Sequence, residues 1–214
     1  MTPRELLIAG SRELGIALSV EQVNSAFVHL TELKKWNRKI NLTAIRDERD
    51  MVIKHVLDSL SFMKGFAPAP GLRLLDMGSG AGFPAIPIKL AQPDIAVTLV
   101  ESVKKKASFL RHVVRTLRLT GIEVQDIRTS ELPGSYHGAY DLVTARAFAD
   151  MNAACAAGLP FLKAGGHLVL SRGPQETIDQ RGAAGPGFTL EKRMELTLPH
   201  SDYKRTIWVF KRTE

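Results

Sequence analysis

The chain has 214 residues, 44% of them hydrophobic, which is enough for one domain with an extension and a sizeable core. A formal net charge of +7 and a pI near 9.7 favour a polyanionic partner, nucleic acid ahead of a membrane surface. Cys155 is the only cysteine, so no intramolecular disulfide can form and a reducing, cytoplasmic setting is expected. The N-terminus lacks the apolar stretch of a signal peptide, and no apolar run reaches the about 18 residues of a membrane span.

Residues 1–67 read as a helical extension packed on a main domain of residues 68–214. Ser19 is placed to cap a helix with Val23, Phe27, Leu30 and Leu33 on one face, ending near Asn41-Leu42-Thr43. Lys34, Lys35, Arg38 and Lys39 form a basic cluster around Trp36, a side chain able to stack on a base but more often a core residue. A further helix from about Asp47 turns Val52, Val56, Leu60 and Met63 inward. His55 and Asp58 stand i, i+3 on it and are placed to meet. No Cys/His cluster supplies more ligands, so the pair reads as structural or substrate-facing and no metal is expected.

After a linker at Pro68–Gly71 the pattern changes to strands alternating with helices. Strands are predicted at 72–77, 95–101, 122–127, 140–145 and 166–171, and helices at about 84–91, 103–119 and 151–163. Two last strands, about 188–198 and 204–211, have hairpin spacing. The expected fold is α/β and Rossmann-like: a seven-stranded, mostly parallel sheet closed by an antiparallel C-terminal hairpin, the arrangement of S-adenosylmethionine-dependent methyltransferases. The Gly/Pro-rich stretch from Gly173 to Gly187 is long for a loop and reads as functional or disordered.

The first strand runs through Asp76 into Gly78, Gly80 and Gly82. A strand that breaks into a glycine turn before a helix is the nucleotide-cradling unit of doubly wound folds. A dinucleotide site wants G-x-G-x-x-G, and a phosphate loop wants Gly-Lys-Ser/Thr. This chain has G-x-G-x-G preceded by an acid, which repels phosphate but suits a cation. S-adenosylmethionine carries a sulfonium and an ammonium and no phosphate, so Asp76 is assigned to the ammonium. The second strand ends in Glu101, about 25 residues after Asp76, where an acid receives ribose hydroxyls. Arg146, just past the fourth strand, falls at the ligand-bearing edge of the sheet. Lys104, Arg111, Arg115 and Arg118 share one arc of the 103–119 helix, beside the core-facing arc of Leu110, Val113, Val114 and Leu117. They read as a solvated basic face or as an RNA contact.

Taken together, the motifs resemble the bacterial 16S rRNA guanine-N7 methyltransferase family RsmG, also called GidB. The resemblance rests on Trp36-Asn37, Asn41-Leu42-Thr43, His55 through Leu60, Asp76 through Pro84, Glu101 through Lys105 with Phe109-Leu110, Arg128 through Glu131 and Ala145-Arg146-Ala147. It implies that Gly78, Phe83, Ser130, Glu131 and Arg146 contact or frame S-adenosylmethionine, with Phe83 and Ser130-Glu131 flanking the adenine. It also implies action on 16S rRNA or the small ribosomal subunit; a monomer is expected. Two positions depart from the pattern. Ala85 stands where glycine follows the motif's proline. Ser171-Arg172-Gly173 stands where Lys-Gly is usual, and this puts the RNA role expected of Arg172 in doubt.

Guanine N7 has a lone pair and no proton, so it can attack the sulfonium methyl without a general base. The Asp/Asn-Pro-Pro-Tyr/Phe of exocyclic-amine enzymes is replaced by Thr144-Ala-Arg-Ala-Phe148. The nucleophilic thiolate that pyrimidine C5 chemistry needs is disfavoured for Cys155, in Ala-Ala-Cys-Ala-Ala. Catalysis is expected to be positioning, with no acid or base and with Arg146 orienting a reactant. Two other readings stay open: a small-molecule methyltransferase, and a noncatalytic RNA- or ribosome-binding protein on the same scaffold.

Overall fold

A computed structural model describes residues 1–146, 150–173 and 186–213. Ala147 and Phe148, and most of the 173–187 stretch, lie outside the described residues. Seven strands, β1 (Arg73–Met77), β2 (Ala96–Val100), β3 (Ile122–Gln125), β4 (Tyr140–Arg146), β5 (Leu162–Arg172), β6 (Phe188–Thr197) and β7 (Lys204–Arg212), form one sheet in the order β3-β2-β1-β4-β5-β7-β6. The first five are parallel, and β7 runs antiparallel to both β5 and β6. The chain moves outward from β1 to β3 and then returns to β4. The crevice between β1 and β4 is therefore the switch point at which such sheets bind ligands.

The extension holds α1 (Pro3–Glu13), α2 (Val20–Asn37) and a helix built from α3 (Glu48–Met51), a π-helical stretch (Val52–Leu57) and α4 (Asp58–Ser61). Ser19 caps α2 in a reciprocal box, its hydroxyl accepting from the Gln22 N–H and its N–H donating to the Gln22 side chain. The four apolar residues expected to face inward are buried, but α2 ends at Asn37, short of the expected 41–43. Leu6, Leu30, Leu33 and Leu57 share one apolar cluster with Leu74, Leu99 and Phe109 of the sheet domain.

Three helices connect the parallel strands: α5 (Ala85–Ala91), α6 (Lys104–Thr116) and α7 (Met151–Gly158). Helix α7 is shorter than expected because Pro160 cannot continue it. A 3-10 turn, Leu159–Phe161, follows, and β5 starts at Leu162, earlier than the pattern suggested.

Helix α6 also stops early. Arg118 adopts φ 51, its N–H donates to the Arg115 carbonyl at 3.1 Å, and the Leu119 N–H donates to the Val114 carbonyl at 3.0 Å. This is a Schellman ending with arginine at the left-handed position that glycine favours. Arg118 therefore lies beyond the helix and off the basic arc. Its Cβ penalty is removable: Arg118→Gly is expected to raise stability by about 0.5–1 kcal/mol, read as a higher midpoint in urea. A lower midpoint would mean that the arginine side chain contributes more than the strain costs.

Candidate active site

Gly78, Gly80 and Gly82 follow β1 with φ of 67, 57 and 88. A Cβ on Gly82 would stand 2.4 Å from Ile86 Cδ1, whereas at Gly78 the space a Cβ would take is open. Glycine is therefore needed for close packing at one end of the turn and for backbone conformation at the other. Glu101, just past β2, holds the turn from the side. Its Oε2 accepts from the Gly80 N–H at 2.9 Å and its Oε1 from the Val103 N–H at 2.8 Å. Each oxygen retains a lone pair for a further donor.

Asp76 is fully buried. Its Oδ1 accepts from the Thr144 hydroxyl at 2.8 Å, while Oδ2 has no partner among the described residues. Burial pushes its pKa up to about 6, against the pull of the Thr144 and Ser79 hydroxyls and of Arg146. A buried carboxylate oxygen left unpaired beside an open glycine turn fits a cationic group arriving from outside.

Phe83 is not an open face for the adenine. It is 3% exposed and sandwiched between His29 of α2, at 4.7 Å between ring centroids, and His55 of the π-helical stretch, at 4.6 Å. The His29 Nε2–H donates to the Ala81 carbonyl at 2.8 Å, so the extension grips the glycine turn directly. Both histidines are neutral: burial pulls His29 down to about 4, and burial with Arg146 close by pulls His55 down to about 3.

Arg146 joins this stack. Its Nη1 donates to the Lys54 carbonyl at 3.0 Å and reaches Asp58 Oδ2 at 3.5 Å. Its Nη2 donates to His55 Nδ1 at 3.3 Å, and its Cζ lies 5.4 Å from the Phe83 centroid. Because arginine only donates, His55 Nδ1 is the acceptor and Nε2 carries the proton, donating to Thr43 Oγ1 at 2.8 Å. Thr43 is placed by Asn37, whose Oδ1 accepts from the Leu42 and Thr43 N–H groups and whose Nδ2 donates to the Thr43 carbonyl. His55 and Asp58 therefore meet through Arg146. Asp58 Oδ1 accepts from Arg205 Nε of β7 at 2.9 Å. Beside these groups opens a cavity of about 390 Å³ lined by Ile45, Lys54, Ser171, Arg172 and Gly173 as well.

The remaining expected residues lie farther out. Ser130 and Glu131 form an exposed 3-10 turn after β3, where Glu131 accepts from the Arg128 N–H at 3.1 Å. Lys34 pairs with Glu48, Lys35 with Glu32 at 2.6 Å, and Arg111 with Asp126 at 3.1 Å. Those pairs compensate part of the two basic clusters, while Arg38, Lys104, Arg115 and Arg118 are exposed. Trp36 is half-buried against Phe109 and His112. Cys155 is buried, its thiol pushed up to about 11. His29, Lys54 and Arg205 join the site without a sequence signal of their own, and Thr43 joins it from the Asn41-Leu42-Thr43 motif.

The two depressed histidines give the fold a pH dependence. Each has an unfolded pKa near 6.5 and a lower folded one, so the unfolded state binds more protons as pH falls below 6.5. Each contributes stability that is complete above 6.5 and lost by up to about 1.4 kcal/mol per pH unit beneath it. Asp76, raised to about 6, has the opposite sign between pH 6 and 4. Stability is expected to fall from pH 7 to 5, and His29→Gln is expected to flatten that fall. Equal slopes for variant and parent in urea unfolding at several pH values would mean that His29 is charged in the fold.

Residues 22–207 match the family described as GidB, rRNA small subunit methyltransferase G. The ribosomal RNA small subunit methyltransferase G of Geobacter sp. (strain M21) is 41% identical, the alignment covering 98% of this chain and 97% of that protein. Among solved structures, a SAM-dependent methyltransferase from Aquifex aeolicus superposes with a TM-score of 0.58 at 15% identity, over 75% of this chain and 92% of that one. M. jannaschii TYW2 in complex with AdoMet superposes with a TM-score of 0.59 at 13% identity, over 82% and 80%. The fold is thus that of SAM-dependent methyltransferases, and with the family match spanning most of its length, the chain belongs to the rRNA small subunit methyltransferase G (GidB) family.

Proposed function

We propose that the protein transfers a methyl group from S-adenosylmethionine to N7 of a guanine in 16S rRNA, by direct in-line displacement without a general base. The observation that carries the cofactor assignment is the unpaired, buried Asp76 Oδ2 beside the open glycine turn. Family membership and the basic balance of the chain support rRNA as substrate. When bound, S-adenosylmethionine supplies an electrophilic methyl on a sulfonium.

The chain's own residues bind and orient. Asp76 takes the ammonium, and Glu101 takes the ribose hydroxyls with its remaining lone pairs. The backbone of Gly78, Gly80 and Gly82 lets the cofactor approach closely, and Ser130-Glu131 borders the adenine. Phe83 frames the site from beneath the turn. Arg146, locked by Lys54, His55 and Asp58, faces the crevice and orients a reactant. Neither His55 nor Cys155 is set to take a proton, and Asp76 is committed to the ammonium. His55 has its acceptor nitrogen occupied by Arg146, and the Cys155 thiol is buried and protonated.

The residues 1–67 act as part of the catalytic unit, because His29 and His55 sit on Phe83. The protein works as a monomer in the cytoplasm. Of the alternatives, a small-molecule methyltransferase would transfer methyl without salt-sensitive RNA affinity, and a noncatalytic binder would transfer none.

The reaction is tested by incubating the protein with S-adenosylmethionine and small subunits from cells lacking the gene, then locating the methyl group by mass spectrometry and by cleavage specific to 7-methylguanine. A methyl on an exocyclic amine, a ribose or a pyrimidine carbon would overturn both the N7 assignment and the base-free chemistry.

Two binding measurements test the cofactor site. Glu101→Ala is expected to weaken S-adenosylmethionine by about 1–3 kcal/mol, the cost of unpaired hydroxyls. Unchanged affinity in calorimetry removes Glu101 from the site. The ammonium needs the ionised form of Asp76, so binding releases a proton below pH 6. Affinity is then expected to fall by about tenfold per pH unit beneath that value, and a flat profile from pH 7 to 5 would dissociate Asp76 from the ammonium.

A further inference from the structure

Arg146 is held through both of its terminal nitrogens. Nη1 donates to the Lys54 carbonyl at 3.0 Å and lies 3.5 Å from Asp58 Oδ2. A guanidinium anchored through one nitrogen still turns about that anchor. The second hold is Nη2, which donates to His55 Nδ1 at 3.3 Å. Two separate holds are what give an arginine a fixed plane. The direction of Arg146 therefore depends on a lone pair at His55 Nδ1, and so on which ring nitrogen carries the proton.

The far side of the ring bears on that choice. His55 is 5% exposed, and its Nε2 lies 2.8 Å from Thr43 Oγ1. With the proton on Nε2, the ring donates to Thr43 and accepts from Arg146, and both contacts are satisfied. With the proton on Nδ1, two donors face each other and the Arg146 contact is lost. The lone pairs of Thr43 Oγ1 are then both in use, one by His55 and one by the Ile45 N–H at 3.1 Å. Asn37, the last residue of α2, fixes the backbone around this hydroxyl, accepting from the Leu42 and Thr43 N–H groups at 2.8 and 3.0 Å. Ile45 lines the cavity beside Arg146. One hydroxyl thus ties the end of α2, a wall of the cavity and the ring behind Arg146.

A plainer account makes Thr43 a loop staple, since a threonine hydroxyl accepting from the N–H two residues on is a common turn device. That account covers the Ile45 contact and leaves the His55 contact without a reason. Valine has the same shape but no acceptor. In its presence the Nε2–H is buried without a partner, which is costly. The ring is relieved by turning or by moving its proton, and either change releases Nη2 of Arg146.

We propose that Thr43 is a positioning residue for methyl transfer: its hydroxyl keeps the His55 proton on Nε2 and so directs Arg146 at the reacting pair. The proposal rests on the methyl-transfer reading given above. It adds a residue of the extension that governs the rate without touching either reactant.

The test compares the parent with Thr43→Val and Thr43→Ser. The tautomer of His55 is read from two-bond proton–nitrogen correlation spectra of protein carrying 15N-labelled histidine, the His55 signals being assigned by their loss in His55→Gln. The parent is expected to show the proton on Nε2, and Thr43→Val to lose that pattern. On small subunits from cells lacking the gene, Thr43→Val is expected to lower kcat by about 10- to 100-fold, the scale of a misaimed orienting group. Its S-adenosylmethionine affinity in calorimetry is expected to stay within about twofold of the parent, which certifies the fold. Thr43→Ser, which keeps the hydroxyl, is expected to restore the tautomer and to bring kcat within about threefold of the parent. A parent ring protonated on Nδ1 overturns the proposal, and so does a parental kcat in Thr43→Val. A Thr43→Ser enzyme as slow as Thr43→Val overturns it too, assigning the loss to the shape of the loop. Should Thr43→Val fail to bind cofactor, Thr43→Ala removes the same hydroxyl with less bulk and is held to the same outcomes. A parent that methylates no guanine in these subunits overturns the reading of the reaction, and the role of Thr43 in it. The tautomer spectra need no RNA and so separate that failure from a failure of the Thr43 contact.

Discussion

The stack of His29, Phe83 and His55 is the contact on which the rest of the site depends. Phe83 belongs to the turn that follows Gly82, and each face of its ring meets an imidazole from a different helix of the extension. The arrangement works only with neutral rings, because an imidazolium enclosed there would lose its hydration without a counter-ion. Burial enforces that neutrality. His29 then donates to the Ala81 carbonyl, and His55 accepts from Arg146. Docking of the extension, shape of the glycine turn and direction of Arg146 are therefore one packing problem. A change at any member is transmitted to the others through contacts of less than 5 Å between ring centroids on either face of Phe83.

The same sheet edge divides its charges. On the β1 and β2 side stand the acids, Asp76 and Glu101. On the β4, β5 and β7 side stand Arg146, Arg172 and Arg205. A cofactor with two cationic centres and a polyanionic substrate want opposite fields, and the switch point between β1 and β4 lies where the two fields meet. The overall charge of +7 says only that a polyanion is favoured. Arg146 stands at the border between the two sides, paired with Asp58 and drawn electrostatically to Asp76.

The sheet domain is the part most legible in the sequence, because its signals are local. Alternating strand and helix patterns, three glycines after Asp76 and an acid closing β2 each occupy a few consecutive residues. The ends of α6 and α7 depart from the pattern where one residue decides the ending: Arg118 taking a left-handed position, and Pro160 after Gly158. The extension is legible as helices, and His55 with Asp58 as a structural or substrate-facing pair, but its grip on the glycine turn is not. His29 lies 52 residues from the carbonyl it holds, Arg146 lies 91 residues from His55, and Arg205 lies 147 residues from Asp58. No periodicity encodes such pairings. The neighbours of Phe83 likewise come from another part of the chain. The motif Asn41-Leu42-Thr43 was recognisable as a pattern, and its physical reason is the Asn37 clamp that presents Thr43 to His55.

The tautomer of His55 connects this packing to the chemistry. A histidine beside a methyl-transfer crevice is the usual suspect for a general base. Here the Nδ1 lone pair is engaged by the Arg146 guanidinium, and the Nε2 proton is engaged by Thr43. To accept a proton the ring would have to give up the Arg146 contact and become charged against both Arg146 and the burial that holds its pKa near 3. Asp58 is no better placed, since both its oxygens answer arginines. A substrate atom that must shed a proton would find no acceptor among these groups, whereas a ring nitrogen with a free lone pair needs none. His55, Asp58 and Arg146 are spent on fixing one another, and the oxygen left open on Asp76 is the one proposed to meet the ammonium. That is the arrangement expected of an enzyme whose contribution is to hold two reactants in line rather than to move protons between them.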